Sequence, residues 1–222
     1  RSGGRGGGPA ARRQGGRRRT AVTVGILALQ GAFREHRRAF ERLGRDVREV
    51  RLPVHLAGLD ALVVPGGEST TMAKLMVSYG LDRAIRSFHE EGGAVWGTCA
   101  GAILVARDIV GRPDQPRLGL LPIEVARNAY GRQIASFEAD LDVDGLGRPF
   151  RAVFIRAPRI AHVDPDVEVL ARHAGDPVAV AHGRVMATVF HPELSRDDRL
   201  HGLFLDRFVR ASERGGDGGG GT

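Results

Sequence analysis

Residues 94–106 read AVWGTCAGAILVA, which is an apolar strand, a turn flanked by Gly97 and Gly101, and an apolar helix. A strand that turns this sharply holds its central residue in a strained conformation, and small neighbours let the turn pack against a sheet. We therefore expect Cys99 at the carboxyl edge of a sheet, where the dipole of the following helix favours a thiolate. The alternative is that Cys99, the only cysteine of the chain, is a small buried hydrophobic residue.

Apolar runs before this turn predict further strands of the same sheet. Residues 22–29 and 61–64 are typical of strands buried on both faces, and a strand at 46–50 lies between them. Helices are expected between the strands, and Ser69 or Thr70 can cap the second one. The alternation predicts a three-layer α/β fold with a doubly wound, mostly parallel sheet. The expected helices are 35–43, with Phe33, Arg37, Phe40 and Leu43 at helical spacing, 69–79, 81–91 and 102–106.

The second half of the chain alternates short strand candidates with Gly, Pro and Asp turns. Such a pattern predicts antiparallel strands added to the edge of the sheet. A further strand is expected at 184–190, and a closing helix with one apolar face at 200–210. The short candidates lie at 123–125, 136–141, 152–155, 167–170 and 178–181.

Composition limits the classes of function. The chain has 222 residues, 42% hydrophobic and 27% charged, which fits one domain with a sizeable core. No run approaches the roughly 20 apolar residues that a membrane span requires, and no apolar stretch follows the first arginines as in a secretory signal. We therefore expect a cytoplasmic protein without a membrane partner.

The net charge of +7 arises in the first 20 residues. Seven of the 33 basic residues lie there without any acidic residue, which leaves 26 basic and 26 acidic side chains in residues 21–222. Residues 1–20 are rich in Arg and Gly, and residues 212–222 are rich in Gly. We expect both segments to be disordered tails of a domain at 21–211. A basic arm without interleaved aromatic residues binds nucleic acid weakly, so nucleic acid is not the expected partner.

The tripeptide His191-Pro192-Glu193 supplies a base and a group to orient it. Residues two apart on an extended segment project to the same side, so Glu193 can hold the imidazole of His191 while the ring faces a thiol. The strand at 184–190 brings this pair to the sheet edge that carries Cys99. A surface turn is the alternative, but thiol, base and carboxylate together predict a nucleophilic triad.

Residues 65–69, PGGES, form a glycine-rich turn between a strand and a helix. The N–H groups of Gly66 and Gly67 can point at an anion, and with the Ala100 amide they would form an oxyanion hole for acyl transfer. A plain connection or a phosphate site would also explain such a turn. No Gly-Lys-Ser/Thr follows it, which argues against a P-loop.

Four further stretches accompany these motifs: LALQG (27–31) with EH (35–36), PGGESTTM (65–72), RNAYGRQ (127–133) and FIRAP (154–158). Together with GTCAG and HPE they resemble the class I, triad-type glutamine amidotransferases, and among these the glutaminase family of pyridoxal 5'-phosphate synthases, over residues 22–209. The resemblance implies hydrolysis of L-glutamine to L-glutamate and ammonia. It also implies that ammonia passes to a separate synthase subunit, and that this chain needs no cofactor or metal of its own.

The resemblance assigns roles to the residues that match the family's motifs. Cys99 corresponds to the nucleophile, His191 to the base and Glu193 to its orienting carboxylate. His36 is expected at the surface or in an interface, and the 112–117 loop, a departure from the family, is expected to leave the site unchanged. Arg127 or Arg156 can pair with a carboxylate. The positions implied to hold glutamine are Gly67, Glu68, Ser69, Arg127, Ile155 and Arg156.

Three other functions predict different features. A glutaminase of another biosynthetic pathway would keep the triad but lack the 65–72 and 127–133 stretches. A catalytically silent regulatory subunit would have a degraded triad. An arginine-arm nucleic-acid binder would show salt-sensitive binding that disappears with residues 1–20.

Overall fold

The computed structural model of the chain describes residues 22–127 and 136–209. The two predicted tails and residues 128–133 of the RNAYGRQ stretch lie outside the described residues. Within the described part of the chain, no helix has the length and apolar character that a membrane span requires.

The strands and helices follow one another along the described residues. In chain order, the strands are β1 (Thr23–Leu27), β2 (Asp46–Val50), β3 (Ala61–Val64), β4 (Ala94–Thr98), β5 (Ala106–Ile109), β6 (Leu121–Ala126), β7 (Ser136–Leu141), β8 (Phe150–Ile155), β9 (Arg159–Val163), β10 (Glu168–His173), β11 (Asp176–His182) and β12 (Val185–Thr188). The α-helices are α1 (Phe33–Arg42), α2 (Ser69–Ser78), α3 (Leu81–Glu90), α4 (Ala100–Val105) and α5 (Arg199–Phe204). Short 3-10 helices cover Pro53–Leu56 and Pro192–Leu194, and a π-helical turn covers Leu205–Val209.

A seven-stranded sheet with the order β10-β11-β12-β4-β3-β1-β2 forms the centre of the fold. The strands from β12 to β2 pair in parallel, whereas β11 and β10 are antiparallel additions at one edge. Every residue of β1, β3 and β4 is buried, so layers of structure cover both faces of these strands. The predicted mostly parallel α/β sheet with antiparallel edge strands is confirmed.

Not all of the later strands join this sheet, which corrects the prediction for the second half of the chain. Strands β5, β6 and β9 form a separate three-stranded sheet, and β7 and β8 form a two-stranded one. In β6, buried residues alternate with half-buried ones, and in β7 exposed residues alternate with less exposed ones. Only one face of each strand therefore packs against the protein.

The predicted helices are confirmed, with small shifts at their ends. Helix α4 begins at Ala100, and residue 106 already belongs to β5. The cap predicted at Ser69 or Thr70 is wrong, because the carboxylate of Glu68 accepts from the amides of Thr70 at 3.1 Å and Thr71 at 2.7 Å. Ser69 is the first residue of α2, and its hydroxyl instead accepts from Gln115 at 3.3 Å.

Candidate active site

Cys99 lies in the tight turn between β4 and α4. Its φ of 49° and ψ of −107° are strained for a residue other than glycine. The Cys99 amide donates to the Thr188 carbonyl oxygen of β12 at 2.8 Å. A β-carbon at Gly97 would lie 2.4 Å from the Gly101 oxygen, so the predicted need for small neighbours is confirmed. The turn holds Cys99 at the carboxyl end of β4.

His191 reaches Cys99 from the neighbouring strand. It follows β12, and its amide donates to the Val153 carbonyl oxygen at 2.8 Å. His191 Nδ1 lies 2.7 Å from Glu193 Oε1. Residues 192–194 form a 3-10 turn, not the extended segment that was predicted, because Pro192 has the φ that begins such a turn. The structure thus brings the three predicted triad residues together.

The protonation of His191 follows from its neighbours. Burial lowers the pKa of the ring, but the hydrogen bonds and negative charges of Cys99 and Glu193 outweigh burial and raise this pKa to about 10. Burial also raises the pKa of the Glu193 carboxyl, and His36 and His191 more than offset that effect and lower it. At neutral pH, a protonated His191 therefore lies between Cys99 and an ionised Glu193.

A cavity of about 340 Å³ opens at Cys99 and His191. Arg127 directly follows β6, Ile155 ends β8, and the Ile155 carbonyl oxygen lies 3.8 Å from Cys99 Sγ. The cavity therefore lies where the ends of β6 and β8, which belong to the two small sheets, approach the thiol of Cys99. Ala100 lines the cavity, as do all six residues that the resemblance assigns to glutamine binding. These six are Gly67, Glu68, Ser69, Arg127, Ile155 and Arg156.

The Gly66-Gly67 turn is held by the loop that follows β1. The Gly66 carbonyl oxygen accepts from the Ala32 amide at 3.2 Å, and Gln30 Oε1 accepts from the Glu68 amide at 2.8 Å. In a trans peptide the C=O and N–H point in opposite directions, so the Gly67 N–H points away from Ala32. A β-carbon at Gly66 would lie 2.6 Å from His191 Cε1, so the turn packs directly on the base.

Arg127 is fixed at the rim of the cavity by a cluster that sequence reasoning missed. Its guanidinium donates to Thr70 Oγ1 at 2.9 Å, to Gln115 Oε1 at 2.8 Å and to Glu68 Oε1 at 3.2 Å. Gln115 is buried and also donates to Ser69, so the 112–117 loop, expected to leave the site unchanged, contributes to it. No pattern in this loop distinguishes Gln115 from a surface residue.

Glu68 is ionised at the rim. Burial raises the pKa of its carboxyl, but hydrogen bonds from Thr71 and Thr70 outweigh burial and lower this pKa to about 2. The cavity therefore presents one fixed negative charge beside the positive charges of Arg127 and Arg156.

His36 is not at the surface, and the prediction that placed it at the surface or in an interface is wrong. Its side chain is fully buried, because helix α1 packs through His36, Ala39 and Phe40. His36 Nε2 lies 3.1 Å from Thr98 Oγ1 and 3.3 Å from Glu193 Oε2. The side chain therefore lies directly behind the predicted triad.

Comparison with known proteins identifies relatives of the chain. A sequence model described as the SNO glutamine amidotransferase family matches residues 26–210. The chain is 58% identical to the pyridoxal 5'-phosphate synthase subunit PdxT of Deinococcus radiodurans, over 83% of this chain and 96% of that protein. The PdxT of Frankia alni is 54% identical, over 86% of this chain and 97% of the relative.

Solved structures give the same result. A crystal structure of a glutamine amidotransferase, 56% identical, superposes with a TM-score of 0.80 and covers 82% of this chain and 97% of its own. The structure of PurLQS from Thermotoga maritima, 18% identical with a TM-score of 0.64 over 87% of this chain and 99% of its own, shares the fold.

Proposed function

The chain belongs to the SNO glutamine amidotransferase family, and from this membership we propose that it is the glutaminase subunit of a pyridoxal 5'-phosphate synthase in vitamin B6 biosynthesis. It hydrolyses L-glutamine to L-glutamate and ammonia. The observation that carries this proposal is the convergence of Cys99, His191, Glu68 and Arg127 on one cavity. We propose that its partner is the synthase subunit that consumes the ammonia, and that both act in the cytoplasm.

Glutamine binding follows from the charges around the cavity. The ionised Glu68 matches the α-ammonium group of an amino acid, and Arg127 and Arg156 match its α-carboxylate. The side-chain amide of the substrate then extends toward Cys99. Gly67, Ser69 and Ile155 complete the wall around it.

The proton of Cys99 passes to His191 before attack, so the reacting group is the thiolate beside the imidazolium. The raised pKa of His191 makes its ring a strong base, and Glu193 stabilises the imidazolium that forms. The thiolate forms a C–S bond with the amide carbon, and the carbonyl electron pair moves to the oxygen. The N–H groups of Gly66, Gly67 and Ala100 stabilise this oxyanion. Loss of such an interaction typically lowers the rate by about 100- to 1000-fold.

Ammonia leaves when His191 returns the proton. The imidazolium protonates the amide nitrogen, the C–N bond breaks, and a γ-glutamyl thioester remains on Cys99. A water molecule then gives a proton to His191 and attacks the thioester carbon. Collapse of the second tetrahedral intermediate releases glutamate and restores the Cys99 thiolate beside the protonated His191.

The test is glutamate release from glutamine by the full chain, with and without a pyridoxal 5'-phosphate synthase subunit. We expect release that rises when the synthase is added. The Cys99→Ala variant should lose turnover by about 10⁴-fold or more, because it removes the nucleophile, while its thermal unfolding stays close to wild type.

Each other outcome contradicts the proposal in a distinct way. Release that ignores the synthase indicates a glutaminase of another pathway. No release under either condition indicates a silent regulatory subunit. Full activity of Cys99→Ala overturns the assignment of the nucleophile.

A further inference from the structure

We propose that His36, held in turn by His201, is a positioning residue that fixes the carboxylate of Glu193 so that His191 faces Cys99. Its activity readout rests on the proposed function. His36 and His201 take no part in the bond-making steps described above.

The two oxygens of the Glu193 carboxylate have different neighbours. Its side chain is fully buried, and Oε1 is engaged by His191 at 2.7 Å. Oε2 is equally inaccessible and has no hydrogen-bond partner among the described residues, and His36 Nε2 lies 3.3 Å from it. A buried carboxylate oxygen without a hydrogen bond is costly, so an N–H group held close to Oε2 favours one orientation of the carboxylate.

The hydrogen positions on the two histidines follow from the contacts. His36 Nδ1 lies 3.0 Å from His201 Nε2, and His201 Nδ1 is buried without a hydrogen-bond partner among the described residues. If His36 carried its proton on Nδ1, its bare Nε2 would face the carboxylate, and His201 would bury an unpaired N–H. Protons on both Nε2 atoms avoid these two costs. His201 therefore donates to His36, and the His36 Nε2–H donates to Thr98 Oγ1 at 3.1 Å, with Glu193 Oε2 close by at 3.3 Å.

The ring of His36 is held from several elements. It lies on α1, its Nε2 also contacts Thr98, which directly precedes Cys99, and His201 lies on α5. Trp96 packs edge-on against both rings, with centroids 5.8 Å from His36 and 5.1 Å from His201. Phe40 packs on the other side of His201 at 5.0 Å. Contacts from α5 and from β4, which contains Trp96 and Thr98, therefore hold the His36 ring in place.

Both histidines act as neutral donors. Burial lowers the pKa of His36, with Glu193 and Glu35 raising it and His191 lowering it further. Burial, together with the charges of His36 and Arg42, lowers the pKa of His201. At neutral pH the contact between His36 and Glu193 is therefore one between a neutral ring and a carboxylate.

Three variants of the full chain test this role. His36→Leu removes the donor, His36→Gln keeps an N–H near the position of Nε2, and Phe40→Leu loosens the same packing without touching the hydrogen bonds. For each variant, the pH dependence of Cys99 alkylation by iodoacetamide is measured, together with kcat and KM for glutamine in the presence of the synthase subunit. Because Cys99 is the only cysteine, alkylation reports on it alone and does not need glutaminase activity.

We expect His36→Leu to lower kcat about 10- to 100-fold with little change in KM, since a polar contact with a charged group is lost away from the cavity. Without this donor the Glu193 carboxyl protonates at higher pH. The acid limb of the alkylation profile should therefore move to higher pH. His36→Gln should restore both properties in large part, and Phe40→Leu should leave the acid limb in place.

Two results overturn the proposal. One is an alkylation profile and kcat of His36→Leu equal to those of wild type. The other is a loss that Phe40→Leu reproduces and His36→Gln does not relieve, which would make His36 a packing residue. A wild-type chain that is alkylated with a normal acid limb but releases no glutamate would contradict the proposed function instead.

Discussion

The carbonyl oxygen of Val64 lies directly against Gly101, so that a β-carbon at position 101 would stand 1.8 Å from it. Val64 ends β3 and Gly101 lies in the first turn of α4, next to the strained Cys99. The end of one parallel strand is thus packed on the turn that follows its neighbour. Because the obstacle is backbone, a larger residue cannot be accommodated by rotating a side chain.

Gly101→Ala should lower the free energy of unfolding by about 2 to 4 kcal/mol, because the added methyl group forces apart β3 and the Cys99 turn. Gly202→Ala is the matched control, since a β-carbon there meets nothing within 4 Å and the residue lies in α5. This control should gain about 0.5 to 1 kcal/mol. Urea unfolding of both variants measures the difference, and equal stability of the two would contradict the packing argument.

The imidazole of His191 should titrate near pH 10 in the folded protein, since Cys99 and Glu193 raise its pKa. In Cys99→Ala the midpoint should fall, because one hydrogen bond and one negative charge are removed. NMR chemical shifts of the ring across the pH range measure both midpoints. A wild-type midpoint near the ordinary 6.5, unchanged in the variant, would show that Cys99 and His191 do not interact.

The same titration predicts a pH dependence of stability. The folded pKa of His191 is raised above the value of 6.5 for an unperturbed ring. Its contribution to the free energy of unfolding is therefore complete below about pH 6.5 and is lost as the pH rises through about 10. A His191→Gln variant should lack this decline, which urea unfolding between pH 6 and pH 10 measures.

Gln115→Ala should raise the KM for glutamine by about tenfold while kcat changes less. The substitution removes the hydrogen bonds of Gln115 to Arg127 and Ser69, so the guanidinium at the rim is no longer fixed. Asp114→Ala, an exposed position in the same loop, is the control and should leave KM unchanged. Steady-state glutamate release measures both, and a KM of Gln115→Ala equal to that of the control would refute the role.

The central sheet could be predicted from the sequence because its inner strands are buried on both faces. Strands such as β3 consist of apolar residues throughout, and an apolar run is the clearest signal that a sequence gives. Strands β5 and β9 were missed for the opposite reason. In β9, Ile160 alone is buried, so the strand has neither an apolar run nor a regular alternation.

The convergence of Cys99, His191 and Glu193 could also be predicted, because Cys99 and His191 follow the carboxyl ends of strands in one parallel sheet. The burial of His36 could not, since it lies within the charged sequence Arg34-Glu35-His36-Arg37-Arg38, which is typical of a solvated face. The predicted helical period of α1 was right, but the buried face includes His36 and Ala39 instead of Arg37. Contacts between distant segments, such as His36 with His201, leave no local pattern.

The two small sheets carry some of the proposed substrate-binding residues, whereas the proposed nucleophile and base follow strands of the central sheet. Cys99 and His191 follow neighbouring strands of the central sheet, whereas Arg127 and Ile155 lie at the ends of β6 and β8, outside it. Changes to the side chains of Arg127 and Ile155 are therefore expected to alter substrate binding more than the positions of Cys99 and His191. Such a division gives evolution, or an engineer, a way to change specificity without rebuilding the catalytic centre.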